Sequence, residues 1–158
     1  MNQKVKKASV RTNRSTILLV DDDESVREMI GRVLTVEGYR VLTASNGAEA
    51  VEIAADNPID LVLLDLNMPV MGGWEAFEKL TSRDPLLGIV IITARPNQLF
   101  TSIGAGVGAL LEKPLDFNIL LKTISDLLKE SAELRLERIA GFKTEFRYVP
   151  STGKQNRE

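Results

Sequence analysis

Apolar and polar positions alternate along this chain in two rhythms, beginning at Ile17. Apolar runs, short enough for buried strands, occupy residues 17–20, 39–44, 61–64, 89–92 and 109–111. Between the runs the spacing becomes helical. Val26, Met29, Ile30, Val33 and Leu34 fall at i, i+3, i+4, i+7 and i+8 and stop near Gly38, a natural C-terminal cap. Further helices are expected at about 48–55 and 73–80, with a weakly patterned one at 97–103 and a long one from Leu115 onward. In the long one, Leu120, Leu121, Ile124, Leu127 and Leu128 form a core stripe, and Leu134 and Ile139 carry an apolar edge on to Gly141. Strand and helix alternating in this way predict an α/β fold: a five-stranded parallel sheet with helices on both faces, because parallel neighbours need crossover connections.

Composition narrows the chemistry more than the architecture. At 158 residues, 44% hydrophobic and 27% charged, the chain has the size of one domain with tails. The absence of cysteine excludes disulfides, thiolate zinc sites and thiol nucleophiles. Histidine is absent too, which removes imidazole bases, Ser-His-Asp triads and histidine metal ligands. No apolar run reaches the roughly 18 residues of a membrane span, and the basic N-terminus lacks a signal-peptide core. A cytoplasmic location is expected. Charge is unevenly spread: residues 1–16 carry five basic groups and no acid, residues 131–158 carry six basic and four acidic groups, and the segment between is acidic. The basic arm, residues 1–15, is expected to be solvated and flexible.

In open parallel sheets, ligands bind beyond the carboxyl ends of the strands, at the switch in strand order. The strand ends here supply Asp21 and Asp22, then Asp65, Thr93 and Lys113. In "LLVDDDES", acids ahead of a helix could serve only as caps. Three carboxylates in one cleft nevertheless repel one another unless a cation compensates. Oxygen-only ligands favour a hard divalent ion, and Mg2+ suits one or two carboxylates together with phosphate oxygens. Beside such an ion a carboxylate can accept a phosphoryl group and form an acyl phosphate. Asp65, alone after the third strand, is the best nucleophile. Lys113 would neutralise a phosphoryl oxygen, and the Thr93 hydroxyl would donate to another.

The segments "LLVDDDESVR", "LVLLDLNMPVMGGWE", "VIITAR" and "LLEKPLD" together resemble the response-regulator receiver domain, the phosphoacceptor partner of two-component histidine kinases. The resemblance covers residues 16–130, with four motifs in the family's order. It implies a flavodoxin-like, doubly wound sheet of strand order 2-1-3-4-5. It also implies phosphorylation at Asp65 with Mg2+ held by Asp22, Asp65 and the backbone carbonyl of Asn67, while Asp21 acts through water. Thr93 maps to the switch hydroxyl and Lys113 to the phosphate-binding lysine, with a cis bond to Pro114. Asp23 is an extra acid that helps to start the helix. Ala94 leaves room for a phosphoryl group, and Asn67 and Arg95 flank the entrance. The partners implied are a sensor histidine kinase or histidine phosphotransfer protein and an unidentified downstream protein, with a homodimer possible and no direct DNA binding.

The chain departs from the family pattern at several points. Leu110 stands where an aromatic residue is usual, three residues before the lysine. The interval from Thr93 to Lys113 is short and holds Pro96, Gly104, Gly106 and Gly108, so a short fourth helix is expected. Val70 and Gly72 replace a common glycine and a common aspartate, which reads as tolerated change. Trp74 is expected to pack. Residues 131–158 are expected to form a helical extension and a frayed polar tail, without an output domain. Two rival readings remain open here: a phosphorylation-independent adaptor, and a phosphatase with an aspartyl nucleophile, for which Asn67 stands where a general acid would be needed.

Overall fold

Because successive side chains of a strand point to opposite faces, each apolar run feeds two separate cores. The computed structural model describes residues 14–68, 70–94, 105–141 and 146–151. The elements in chain order are β1 (Thr16–Val20), α1 (Glu24–Val36), β2 (Arg40–Ala44), α2 (Gly47–Asp56), β3 (Leu61–Asp65), α3 (Gly73–Arg83), β4 (Gly88–Thr93), β5 (Ala109–Glu112), α4 (Phe117–Lys129), α5 (Ala132–Ile139) and β6 (Arg147–Val149). Ile17 and Leu19 pack with Ile30 and Leu34 of α1 and Leu120, Ile124 and Leu127 of α4. Leu18 and Val20 face the other way, toward Ala50 of α2 and Ala76, Phe77 and Leu80 of α3. The sheet is thus covered on both sides, as uniformly buried β1, β3, β4 and β5 require. No helix among the described residues is long and apolar enough to cross a membrane.

All strand pairings are parallel, in the order β2-β1-β3-β4-β5-β6. This extends the expected order 2-1-3-4-5 by one strand. The sixth strand comes from the region expected to be a frayed tail: Arg147, Tyr148 and Val149 pair with Ala109, Leu110 and Leu111. Three residues are too few for an apolar rhythm to announce a strand, and the partner is distant in sequence.

Local chemistry explains the helix ends. Asp23 caps α1, its Oδ1 accepting from the N–H groups of Ser25 at 2.9 Å and Val26 at 3.3 Å. Gly38 closes that helix at φ 103°, a conformation costly for residues with a Cβ. The last helix does not run on to Gly141 as expected. It breaks at Glu130, which is extended, and Ser131 then caps α5 by accepting from the Leu134 N–H at 3.2 Å. The break lets Arg138 reach back and bind both carboxylate oxygens of Glu130, at 2.7 and 2.6 Å. Leu134 and Ile139, expected on the apolar edge, are about half exposed at 47% and 46%. The predicted helix at 97–103, with Arg95, Pro96 and Gly104, lies outside the described residues, as do residues 1–13, Phe142 and residues 152–158.

Candidate functional site

Strand register brings the chemistry to one edge. Val20 lies beside Leu64, Asp65 beside Ile92 and Thr93 beside Glu112, so the carboxyl ends of β1, β3, β4 and β5 finish nearly level. Asp21 and Asp22 follow β1, Asp65 and Thr93 end their strands, and Lys113 follows β5. Carboxylate oxygens of Asp21, Asp22 and Asp65 all lie within 4.8 Å of one another. Asp22 is exposed, whereas Asp21 and Asp65 are almost fully buried.

Among the described residues, one cation crosses this acidic rim. The Lys113 ammonium donates to Asp21 Oδ2 at 2.9 Å and stands 3.7 Å from Asp65 Oδ2. Asp21 Oδ1 accepts the backbone N–H of Asp23 at 3.0 Å, and Asp65 Oδ1 accepts that of Asn67 at 3.1 Å. Burial raises the pKa of Asp65 to about 6; the Asn67 hydrogen bond and the charge of Lys113 oppose the rise, and Asp21 and Asp22 add to it. Burial works against the charged form of Lys113, yet its hydrogen bond to Asp21 and the charges of Asp65, Asp21 and Asp22 outweigh that and leave its pKa raised. Thr93 is fully buried, and its carbonyl accepts the Lys113 N–H at 2.8 Å. The Lys113–Pro114 bond is cis, as the resemblance implied.

The set fits a hard divalent cation. Three carboxylates meet here with the Lys113 ammonium between two of them, and the candidate ligand atoms are all oxygen. The resemblance implies Asp22, Asp65 and the carbonyl of Asn67 as the groups that would hold such an ion.

Two contributors, Gly73 and Arg27, gave no sequence signal. A Cβ on Gly73 would stand 2.4 Å from the Leu66 Cα and 2.7 Å from the Asp65 carbonyl oxygen, so only glycine lets α3 start this close to the acceptor strand. Arg27 donates to the Asp21 carbonyl at 2.7 Å from one turn into α1. Val70, in the loop after Asp65, is left-handed at φ 70°. Leu110 is fully buried on the α2–α3 side of the sheet, where Phe146 packs against the same cluster. Trp74 packs edge-on against Phe77, with ring centroids 5.5 Å apart, as its expected packing role requires. Ala94 is exposed just past Thr93, and Arg95 is outside the described residues.

Known proteins are similar to this chain in sequence and fold. The family model described as "Response regulator receiver domain" matches residues 17–125. The Transcriptional regulatory protein GlrR of Escherichia coli (strain K12) is 36% identical over 124 residues, covering 77% of this chain and 28% of GlrR. Response regulator MprA of Mycobacterium sp. (strain KMS) is 37% identical over 118 residues, covering 73% of this chain and 51% of MprA. The chain therefore spans about half or less of these curated relatives. Among solved structures, a CheY-like receiver domain protein from Methanospirillum hungatei JF-1 superposes with a TM-score of 0.71 at 30% identity, covering 77% of this chain and 98% of that one. The response regulator TrrA from Thermotoga maritima, solved in complex with Mg(2+)-BeF, gives 0.67 at 29% identity, covering 72% and 98%. The family model, the relatives and the shared fold agree: this chain belongs to the response-regulator receiver family of two-component systems.

Proposed function

We propose that this receiver accepts a phosphoryl group on Asp65 from a phosphohistidine of a sensor histidine kinase or histidine phosphotransfer protein, and that the modification switches a contact with a downstream protein. The observation that carries this reading is the meeting of three carboxylates within 4.8 Å, bridged by Lys113. An Asp65 carboxylate oxygen forms the new bond to phosphorus as the phosphorus–nitrogen bond of the donor breaks, returning the pair of electrons to the imidazole.

Mg2+, held by Asp22, Asp65 and the Asn67 carbonyl with Asp21 acting through water, would supply charge neutralisation for the acceptor and the incoming phosphoryl oxygens. The chain's own groups do the rest. Lys113, already against Asp65, neutralises a phosphoryl oxygen as a point charge, and Thr93 offers a hydroxyl at the end of the adjacent strand. Asn67 N–H holds Asp65 Oδ1, which orients the carboxylate. The complex of TrrA with Mg(2+)-BeF supports a site of this kind in a relative of the same fold.

Incubation with Mg2+ and a small phosphodonor tests the reading by intact mass. One added phosphoryl group is expected, mapping to Asp65, lost in Asp65→Asn and absent when the metal is chelated. A chain that stays unmodified and binds no beryllofluoride would instead support the adaptor reading, and steady turnover of a phosphomonoester would support the phosphatase.

A further inference from the structure

Glu112 ends β5 and immediately precedes Lys113, yet its carboxylate serves neither the acidic rim nor solvent. It is 4% exposed. Its Oε1 accepts the Tyr148 hydroxyl, and its Oε2 accepts the Ser151 backbone N–H at 3.3 Å. Both contacts come from the C-terminal segment 146–151, which lies along β5 as β6. The same segment is anchored elsewhere: Arg147 pairs with Asp126 of α4. Arg147, Tyr148 and Ser151 thus tie the segment to α4 and to Glu112.

A carboxylate buried at a sheet edge requires its donors. Should β6 lift, Glu112 would lose the hydroxyl of Tyr148 and the N–H of Ser151, two of the donors that hold its carboxylate in place. Residue 112 pairs with Thr93, and the next N–H, that of Lys113, donates to the Thr93 carbonyl at 2.8 Å. A displacement of Glu112 is therefore transmitted directly to the backbone that carries the Lys113 ammonium.

We infer that residues 146–151 form a clasp on Glu112 that positions Lys113, so that seating of the clasp and binding of a phosphoryl-like anion at Asp65 are coupled. The anion half of this inference rests on the function proposed above; the positioning of Lys113 rests on the geometry alone. Coupling between two sites is reciprocal. Whatever factor in anion affinity is lost when the clasp is loosened must reappear as the factor by which the anion tightens the clasp.

The experiment compares the full-length wild type with Tyr148→Phe and Ser151→Pro, each of which removes one donor to Glu112. Asn57→Ala serves as a control, since the Asn57 side chain donates to the Ile53 carbonyl at the end of α2. Beryllofluoride affinity in Mg2+ is measured by calorimetry, and amide hydrogen exchange is followed at residues 111–113 and 147–151. Tyr148→Phe is expected to weaken beryllofluoride binding by about fivefold and to speed exchange at Lys113 without ligand. In the wild type the anion should slow exchange at Tyr148 and Val149 by a similar factor. Unchanged affinity together with unchanged Lys113 exchange overturns the inference, as does an equal effect from Asn57→Ala. If the wild type binds no beryllofluoride, the proposed function fails separately; the clasp then stands or falls on whether Tyr148→Phe speeds exchange at Lys113. Should Tyr148→Phe not fold, Ser151→Pro is judged by the same criteria.

Discussion

The Lys113 ammonium donates to Asp21 Oδ2 at 2.9 Å across 92 positions of sequence. Asp21 is 2% exposed, so this contact is its main compensation for leaving water. Replacing Lys113 by methionine keeps most of the unbranched side chain and removes the ammonium. We expect Lys113→Met to lose about 3 kcal/mol at pH 7, because breaking a buried pair leaves the partner charge unsatisfied. Mg2+ should restore part of the loss by occupying the acidic rim. Urea unfolding with and without the metal provides the check; a variant as stable as the wild type in metal-free buffer would contradict it.

Asp65 supplies a pH signature. Burial holds its folded pKa at about 6 against an ordinary 3.8, so between these values the folded chain keeps a proton that the unfolded chain has released. Its contribution therefore lowers stability as pH rises from about 4 to about 6 and stays level above. Asp65→Asn, which carries no ionisable group there, is expected to exceed the wild type by about 2 kcal/mol at pH 7 in metal-free buffer. That advantage should shrink toward zero near pH 4. Thermal unfolding across this range reads it directly, and an asparagine variant less stable than the wild type at pH 7 would refute the assignment.

Val70 presents a simpler test. Its φ of 70° places a β-branched residue in the left-handed region, while its side chain is 85% exposed and packs little. Val70→Gly should gain about 1 kcal/mol by removing that strain, raising the melting temperature by a few degrees. Loss of stability on this substitution would mean that the side chain makes contacts beyond the strain it bears.

Gly73 should behave in the opposite way. A methyl there meets the Leu66 Cα and the Asp65 carbonyl at 2.4 and 2.7 Å, both backbone atoms that cannot step aside singly. Gly73→Ala is expected to cost about 2 kcal/mol or more and to slow modification by a small phosphodonor, since Asp65 must shift with its carbonyl. Gly72→Ala, where a Cβ meets nothing within 4 Å, is the paired control and should leave both quantities close to wild type.

The apolar rhythm made the parallel sheet legible because β1, β3, β4 and β5 are buried on both sides, which demands continuous hydrophobic runs. The acidic rim was legible for a related reason: residues just past buried strands must share an edge once the register is level. Elements fixed by pairing with remote groups were hidden. The break at Glu130 answers to Arg138, eight positions on, although Ser131 ahead of Ala132 and Glu133 was a readable capping signal. Strand β6 depends on Ala109, Leu110 and Leu111 for its partners and on Glu112 for its anchor, none of which the local pattern of Arg147, Tyr148 and Val149 could announce. The need for glycine at position 73 arises from backbone proximity, which no residue type records.

The course of α4 bears on how this protein can be joined to others. The family match ends at residue 125, whereas α4 continues to Lys129 and Leu127 packs beneath Gly108. A chimera spliced at the family boundary would cut through a helical turn and strip a leucine from the floor of β5. A junction placed after Ser151 keeps that floor intact and positions any fused reporter beside the edge strand, close to the chemistry it would be built to sense.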